Sequence, residues 1–169
     1  MPKILKQDHQ VIVTLEDDGL VKKVVFGLNS SRLRKDISPE EMVDREIHAL
    51  ESLSSVKGIQ KFVKRDSPNS FYSEYIPGKS LFDEKQKLDK DYFDELANIV
   101  GECNNRGVYR IGQNRRDFLI MEDGKPAIID FGNVLFETDT LVMVPGVVEG
   151  IKLWSYLRRV DLRMRYASH

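Results

Sequence analysis

A single cysteine, Cys103, stands in a chain of 169 residues, so no disulfide can close within it and a reducing compartment fits. The three histidines, His9, His48 and His169, are scattered and offer no metal-ligand spacing. Neither sign of charge dominates: 26 basic and 27 acidic residues leave a net charge of −1, so no overall field recruits nucleic acid or a membrane surface. No apolar run approaches the length that spans a bilayer, and no transmembrane segment is expected. Met1 to Asp8 breaks off before any long apolar stretch, so a secretory signal is not expected either, and a cytoplasmic protein is. There is no internal repeat and no low-complexity segment. The residues before Val11 contain no glycine, so the N-terminal end carries no glycine loop of the kind that cradles phosphates.

What is present is ordinary for a globular protein: 41% hydrophobic and 31% charged residues, enough for one domain with a sizeable core or two small lobes sharing a cleft. Val11-Ile12-Val13-Thr14-Leu15 reads as a strand, Asp17-Asp18-Gly19 as a turn, and Leu20 to Leu28 as a second strand. A polar, basic loop fills 29–36. Ser38-Pro39-Glu40-Glu41 then opens a helix, with Ser as cap, Pro at the first helical position and Glu three after the cap. The helix, about 39–54, has an apolar face of Val43, Ile47, Leu50 and Leu53 or Ser54. Glu46 sits at the edge of that face, where a solvated boundary carboxylate and a cleft-facing one are the alternatives.

Lys57-Gly58 ends the helical region, and Ile59 to Val63 is extended. Phe71 to Ile76 is an aromatic-rich strand stopped by Pro77-Gly78, the best boundary between two lobes. Asp89 to Asn105 is an amphipathic helix with Tyr92, Leu96, Ile99, Val100 and Cys103 on one face, which makes Cys103 a buried hydrophobe rather than a reactive thiol. A hairpin follows, Phe118 to Met121 and Ala127 to Ile129, joined through Asp123-Gly124. A final helix, about Val147 to Tyr166, has apolar positions Ile151, Trp154, Leu157, Val160 and Met164. Arg158, Arg159, Arg163 and Arg165 gather near its end, where cations suit the helix dipole.

Several motifs occur in a fixed order. Arg45-Glu46-Ile47-His48-Ala49-Leu50 comes first, followed by Lys57-Gly58-Ile59-Gln60-Lys61-Phe62. Phe71-Tyr72-Ser73-Glu74-Tyr75-Ile76-Pro77-Gly78-Lys79-Ser80-Leu81 comes next, then Arg106-Gly107-Val108, and finally Ile129-Asp130-Phe131-Gly132 after the hairpin. In this order they resemble the protein-kinase-like superfamily, in the flavour of small bacterial lipopolysaccharide-core and RIO-like kinases. The resemblance runs from about Val11 to Asn133. It implies an α+β, two-lobe kinase-like fold: a small β-rich N-lobe over 1–76 and a short, mainly helical C-lobe over 77–169, forming one domain. It implies ATP and Mg²⁺ as cofactors. Asp130 and Asp117 would hold the metal and carry the catalytic role, Glu46 would orient a lysine on the phosphates, and the backbone of Glu74, Tyr75 and Ile76 would grip the nucleotide's adenine. The acceptor would be a lipopolysaccharide-core sugar or a protein Ser/Thr.

The chain departs from the family pattern in three places. The family's catalytic loop reads H-R-D-x-x-x-x-N. Counting back from Asp130 puts Asp117 at the Asn position and Gly112 at the base position, with no Asp or Glu between Gly107 and Arg116 to replace the base. The resemblance makes Asp117 a metal ligand or a displaced base, an N-cap or turn aspartate being the alternative that its spacing to Asp130 disfavours. The glycine-rich loop is absent, leaving only a short strand at about Lys3 to Lys6 to cover a nucleotide. The strand lysine is ambiguous. Lys23 shares a face with Val21 and Val25, while Lys22 shares one with Leu20, Val24 and Phe26. The family position by length falls nearer Val25 or Phe26, and Lys23 is the preferred assignment. Three readings remain: an atypical phosphotransferase, a pseudokinase kept as a binding or scaffold module, and an unrelated β-plus-α protein in which Asp-Phe-Gly is a turn. After Asn133 there is no Ala-Pro-Glu segment.

Overall fold

Period-two alternation in the strands and 3.6-residue periodicity in the helices lay out the elements of a computed structural model, which describes residues 1–27, 37–109, 114–139 and 142–167. The expected strand end at Leu28, the basic loop 29–36, His169 and the segment holding Gly112 lie outside the described residues. The chain forms an α+β structure of two compact units: Met1–Ser54 with Gln60–Ile76, and Ser55–Ile59 with Pro77–His169.

The first unit contains β1 (Lys3–Gln7), β2 (Val11–Leu15), β3 (Leu20–Val25), α1 (Pro39–Ser52), β4 (Phe62–Ser67) and β5 (Ser70–Glu74). The strands make one antiparallel sheet in the order β1-β2-β3-β5-β4. The β2–β3 turn needs Gly19, whose φ is 82°, a left-handed backbone that costs a residue with a side chain about 1–2 kcal/mol. β4 begins later and runs further than the extended stretch 59–63 read from sequence. Its Val63, Lys64, Arg65 and Asp66 are exposed, as an edge strand allows, so no apolar alternation marks them.

Ser38 caps α1 as its sequence predicts, with Oγ accepting the Glu41 N–H at 3.1 Å. The helix packs on β3, β4 and β5. Its buried stripe is Val43, Glu46, Ala49, Leu50 and Leu53. Leu53 rather than Ser54 completes it, and Ile47 is half-buried. Glu46 at 3% exposure overturns the boundary-residue alternative: positions 43, 46, 50 and 53 follow one helical face, and Glu46 lies within it.

The second unit contains β6 (Lys79–Ser80), α2 (Lys90–Asn105), β7 (Val108–Tyr109), a 3-10 turn (Arg115–Asp117), β8 (Phe118–Ile120), β9 (Pro126–Ile128), β10 (Leu135–Phe136) and α3 (Val147–Tyr166). α2 buries Tyr92, Phe93, Leu96, Ile99, Val100 and Cys103. Each large side chain buried in this way contributes about 1.5–3 kcal/mol. Burial pushes the Cys103 thiol up to about 12, so it stays protonated and unreactive at neutral pH. β6, β8 and β9 form a three-stranded sheet, and β7 pairs with β10. The last two are two-residue strands and carried no readable period. Gly58, at φ 76°, lets the chain approach closely. A Cβ there would stand 2.8 Å from Ile99 Cδ1 and 2.9 Å from the Pro126 carbonyl.

α3 has the bounds its sequence predicts but a different rotation. Trp154, Leu157 and Met164, expected to face inward, are 42%, 56% and 69% exposed, while Ser155 and Leu162 are buried. The ends of the helix set this rotation. At its start Val148 and Ile151 pack on the cluster of Tyr109, Leu135 and Val142. At its end Arg163 pairs with Asp94 at 3.1 Å, and the Tyr166 carbonyl accepts the Leu88 N–H at 2.7 Å. With Ile151 inward, residues four and eleven further on follow it.

Candidate functional site

In the first unit, two periods converge on one ion pair. Alternation turns Val21, Lys23 and Val25 to the buried side of β3, and helical spacing turns Glu46 inward from α1. Lys23 Nζ lies 2.9 Å from one Glu46 carboxylate oxygen and 2.7 Å from the other. Lys23 is 9% exposed and Glu46 3%. Desolvating two opposite charges consumes most of their attraction, so this pair adds little net stability compared with an apolar pair of equal volume. It does hold the ammonium at a fixed place. Lys22, on the alternate face, pairs with Asp66 at 2.9 Å and lies 5.3 Å from the Tyr72 ring centre. The Asp66 carboxylate raises the Lys22 pKa above its ordinary value.

Glu74 ends β5. Its N–H donates to the Lys61 carbonyl at 2.8 Å, and its carbonyl accepts the Gln60 side-chain N–H at 3.0 Å. Beyond it, nothing among the described residues hydrogen-bonds to the backbone of Tyr75 or Ile76, and these are the strand-exit residues able to donate and accept elsewhere. The turn between β1 and β2 is closed differently. Asp8 Oδ1 accepts the N–H groups of Gln10 at 2.8 Å and Val11 at 2.9 Å, and the Gln10 hydrogen bond, the larger cause, holds the carboxyl below its usual pKa. Gly27 abuts this turn, where a Cβ would stand 2.8 Å from Gln10 Cα. Sequence reading missed this role of Asp8, although an Asp two residues before the amide it caps is an Asx-turn pattern.

In the second unit, Asp117 and Asp130 flank the β8–β9 hairpin. Asp117 closes the 3-10 turn with Oδ2 accepting the Asn114 N–H at 2.9 Å, and its carbonyl accepts the Ile129 N–H at 2.9 Å. That second bond ties Asp117 to the residue preceding Asp130. Asp130 has φ 65°, the only positive value at a residue other than glycine among the described residues. Its Oδ1 accepts the Gly132 N–H at 3.3 Å. Such strain of about 1–3 kcal/mol persists where the surroundings over-determine it, and it concentrates at functional sites. Phe131 is fully buried beside it. Among the described residues no group of three or more His, Cys, Asp or Glu could hold a metal. The chemistry of two carboxylates, Asp117 and Asp130, on segments joined by one backbone hydrogen bond fits Mg²⁺, which needs one or two carboxylates together with substrate phosphates.

The pair Lys23 and Glu46 is thus brought together within one unit, and Asp117 and Asp130 within the other. Gly112 lies outside the described residues. Sequence reading also missed Phe82, over whose ring Arg115 and Arg116 stand. The adjacent arginines were visible, but nothing in the sequence links them to a ring more than thirty residues away.

No family model matches the chain. It is similar to curated plant kinases. The CBL-interacting serine/threonine-protein kinase 20 of Arabidopsis thaliana is 34% identical over 68 residues, 37% of this chain and 16% of that protein. The CBL-interacting protein kinase 9 of Oryza sativa subsp. japonica is 29% identical over 109 residues, 59% of this chain and 24% of the relative. The CBL-interacting protein kinase 14 of the same plant is 25% identical over 135 residues, 76% of this chain and 28% of the relative. The chain therefore spans less than a third of the length of the curated relatives it matches. These similarities support a protein-kinase-like relationship and weigh against the reading in which Asp-Phe-Gly is a chance turn. They do not support the narrower resemblance to bacterial lipopolysaccharide-core and RIO-like kinases.

Proposed function

We propose that this protein-kinase-like chain is a small, atypical ATP- and Mg²⁺-dependent phosphotransferase acting on a protein Ser/Thr hydroxyl. The observation that carries this reading is the buried Lys23–Glu46 pair, because phosphoryl transfer is mainly positioning and charge neutralisation. Lys23, oriented by Glu46, contacts the nucleotide phosphates. The backbone of Tyr75 and Ile76, next to the engaged Glu74, grips the adenine. Asp117 and Asp130 hold Mg²⁺, which when bound neutralises charge on the phosphates. The acceptor oxygen forms a bond to the γ-phosphorus, the bond to the bridging oxygen breaks, ADP leaves, and the hydroxyl proton passes to solvent, since Gly112 supplies no base and positioning carries most of this chemistry. The relatives' names speak of serine/threonine-protein and protein kinases, which favours a protein acceptor over a lipopolysaccharide-core sugar. A reducing cytoplasm, where ATP is abundant, suits the single buried thiol.

One observation favours a second reading, a pseudokinase serving as a binding or scaffold module. The N-terminal turn spends its Gln10 and Val11 amides on Asp8, so they are not presented to phosphate. Thermal unfolding with saturating ATP, with and without Mg²⁺, separates the two. A ligand at a hundred times its Kd stabilises the native state by about 2.7 kcal/mol. A Mg²⁺-dependent rise in Tm that is lost in Asp130→Ala is expected of the phosphotransferase. An unchanged Tm in the wild type would leave the scaffold.

A further inference from the structure

Arg115 and Arg116 immediately precede Asp117, and both guanidinium groups stand over one ring. Their central carbons lie 5.1 and 4.4 Å from the Phe82 ring centre. Phe82 is placed by the strand β6 before it. The Leu81 N–H donates to the Phe118 carbonyl at 2.8 Å, the Phe82 N–H donates to Ser80 Oγ at 3.1 Å, and Leu81 is fully buried. Arg115 is fixed further by donating to the Tyr166 hydroxyl at 2.5 Å. Phe82 and Arg116 are exposed.

Two other arginines of this evenly charged chain meet carboxylates: Arg163 meets Asp94, and Arg165 meets Asp161. Arg115 and Arg116 form no ion pair among the described residues. Glu84, close by in sequence, is taken by Lys79 at 3.2 Å, and Asp83 is exposed and pairs with neither arginine. A guanidinium stacked on an aromatic face keeps its in-plane N–H fork for a carboxylate, which it binds bidentately. The whole fork of Arg116, and the part of Arg115's that is not donated to Tyr166, therefore stand over the Phe82 ring one and two residues from an acid that the proposed reaction uses.

We propose that Phe82, Arg115 and Arg116 form the acceptor-docking surface, and that the acceptor is a peptide carrying Asp or Glu beside its Ser/Thr hydroxyl. The proposal rests on the phosphotransferase reading above. An extended peptide fits better than a phosphorylated sugar because the surface is open, whereas small-molecule sites enclose most of their ligand.

The test uses fluorescence anisotropy of a labelled heptapeptide with a central Ser flanked by Glu, and of its Lys-flanked counterpart. Both are measured on the wild type and Arg116→Glu, with ATP-induced thermal shift followed in parallel. Arg116 is exposed, so its replacement leaves the fold intact. The expected result is about tenfold tighter binding of the acidic peptide by the wild type, the scale of one charge-assisted contact. Arg116→Glu should reverse this preference while the ATP shift stays. Equal affinity for the two peptides, or no change in Arg116→Glu, overturns the docking surface even where ATP binds. Displacement by glucose 6-phosphate with no preference between peptides overturns the peptide in favour of a phosphorylated sugar. Acidic-peptide preference with no ATP shift in the wild type overturns the phosphotransferase reading and leaves the surface without an acceptor role.

Discussion

Glu46 in one unit and Asp130 in the other are held in place by opposite means. Glu46 sits dry within an apolar helix face, and a cation 2.7 Å away makes its burial tolerable. Asp130 is half-buried and is held by a left-handed backbone at φ 65°, with its carboxylate folded back onto the Gly132 N–H. The first carries its cost as desolvation and the second as backbone strain. The difference shows why mutating either acid must be judged on stability and ligand binding together, since the two costs appear in different measurements.

The contrast can be broken in order of expected effect. Glu46→Ala leaves Lys23 buried without the carboxylate that faces it and should destabilise the chain by about 3–5 kcal/mol, a large share of a typical total of about 5–15 kcal/mol. Urea denaturation reads this directly. The double substitution Lys23→Met with Glu46→Leu should recover that stability, or exceed the wild type by about 1–4 kcal/mol, yet give no ATP-dependent shift. A double variant as unstable as Glu46→Ala would mean the pair is kept for stability. At the other acid, Asp130→Gly should be more stable than Asp130→Ala by about 1–2 kcal/mol, because only glycine accepts that φ without strain, and neither should respond to Mg²⁺. Equal midpoints in chemical denaturation would remove strain from the account.

The smaller effects sharpen the same comparison. Asp117→Ala loses the side-chain half of a capping interaction and should cost about 0.3–1.5 kcal/mol, with a larger loss in Mg²⁺-dependent binding than in stability. Lys22→Ala should change ATP affinity least, because Lys22 faces Asp66 and Tyr72 rather than Glu46. A Lys22 variant that loses nucleotide binding while a Lys23 variant retains it would reverse the assignment between them.

Much of the fold was legible because its signals are local. The Ser38-Pro39 cap, the Asp18-Gly19 turn, the bounds of α3 and the apolar stripe of α2 each follow from neighbours in sequence. β4 was partly illegible because an exposed edge strand has no core face to pattern. The rotation of α3 was misread because residues far away in sequence clamp its two ends, and a helix with apolar residues on several sides does not declare which side is packed. At the site, alternation preferred Lys23 but could not exclude Lys22. The buried state of Glu46 needed the partner strand, since a carboxylate on an apolar stripe is expected to be solvated until a cation is shown facing it.

By itself, the amino-acid order determined the elements, their sequence and the places where chemistry-bearing residues stand on them, because capping, turn chemistry and periodicity act over a few residues. Only the tertiary structure decided that Lys23 meets Glu46, that Asp130 is strained, that Asp8 closes the first turn of the sheet, and that Phe82 gathers two arginines. These depend on strand register, helix rotation and close approach between segments distant in the chain, and no local pattern encodes them.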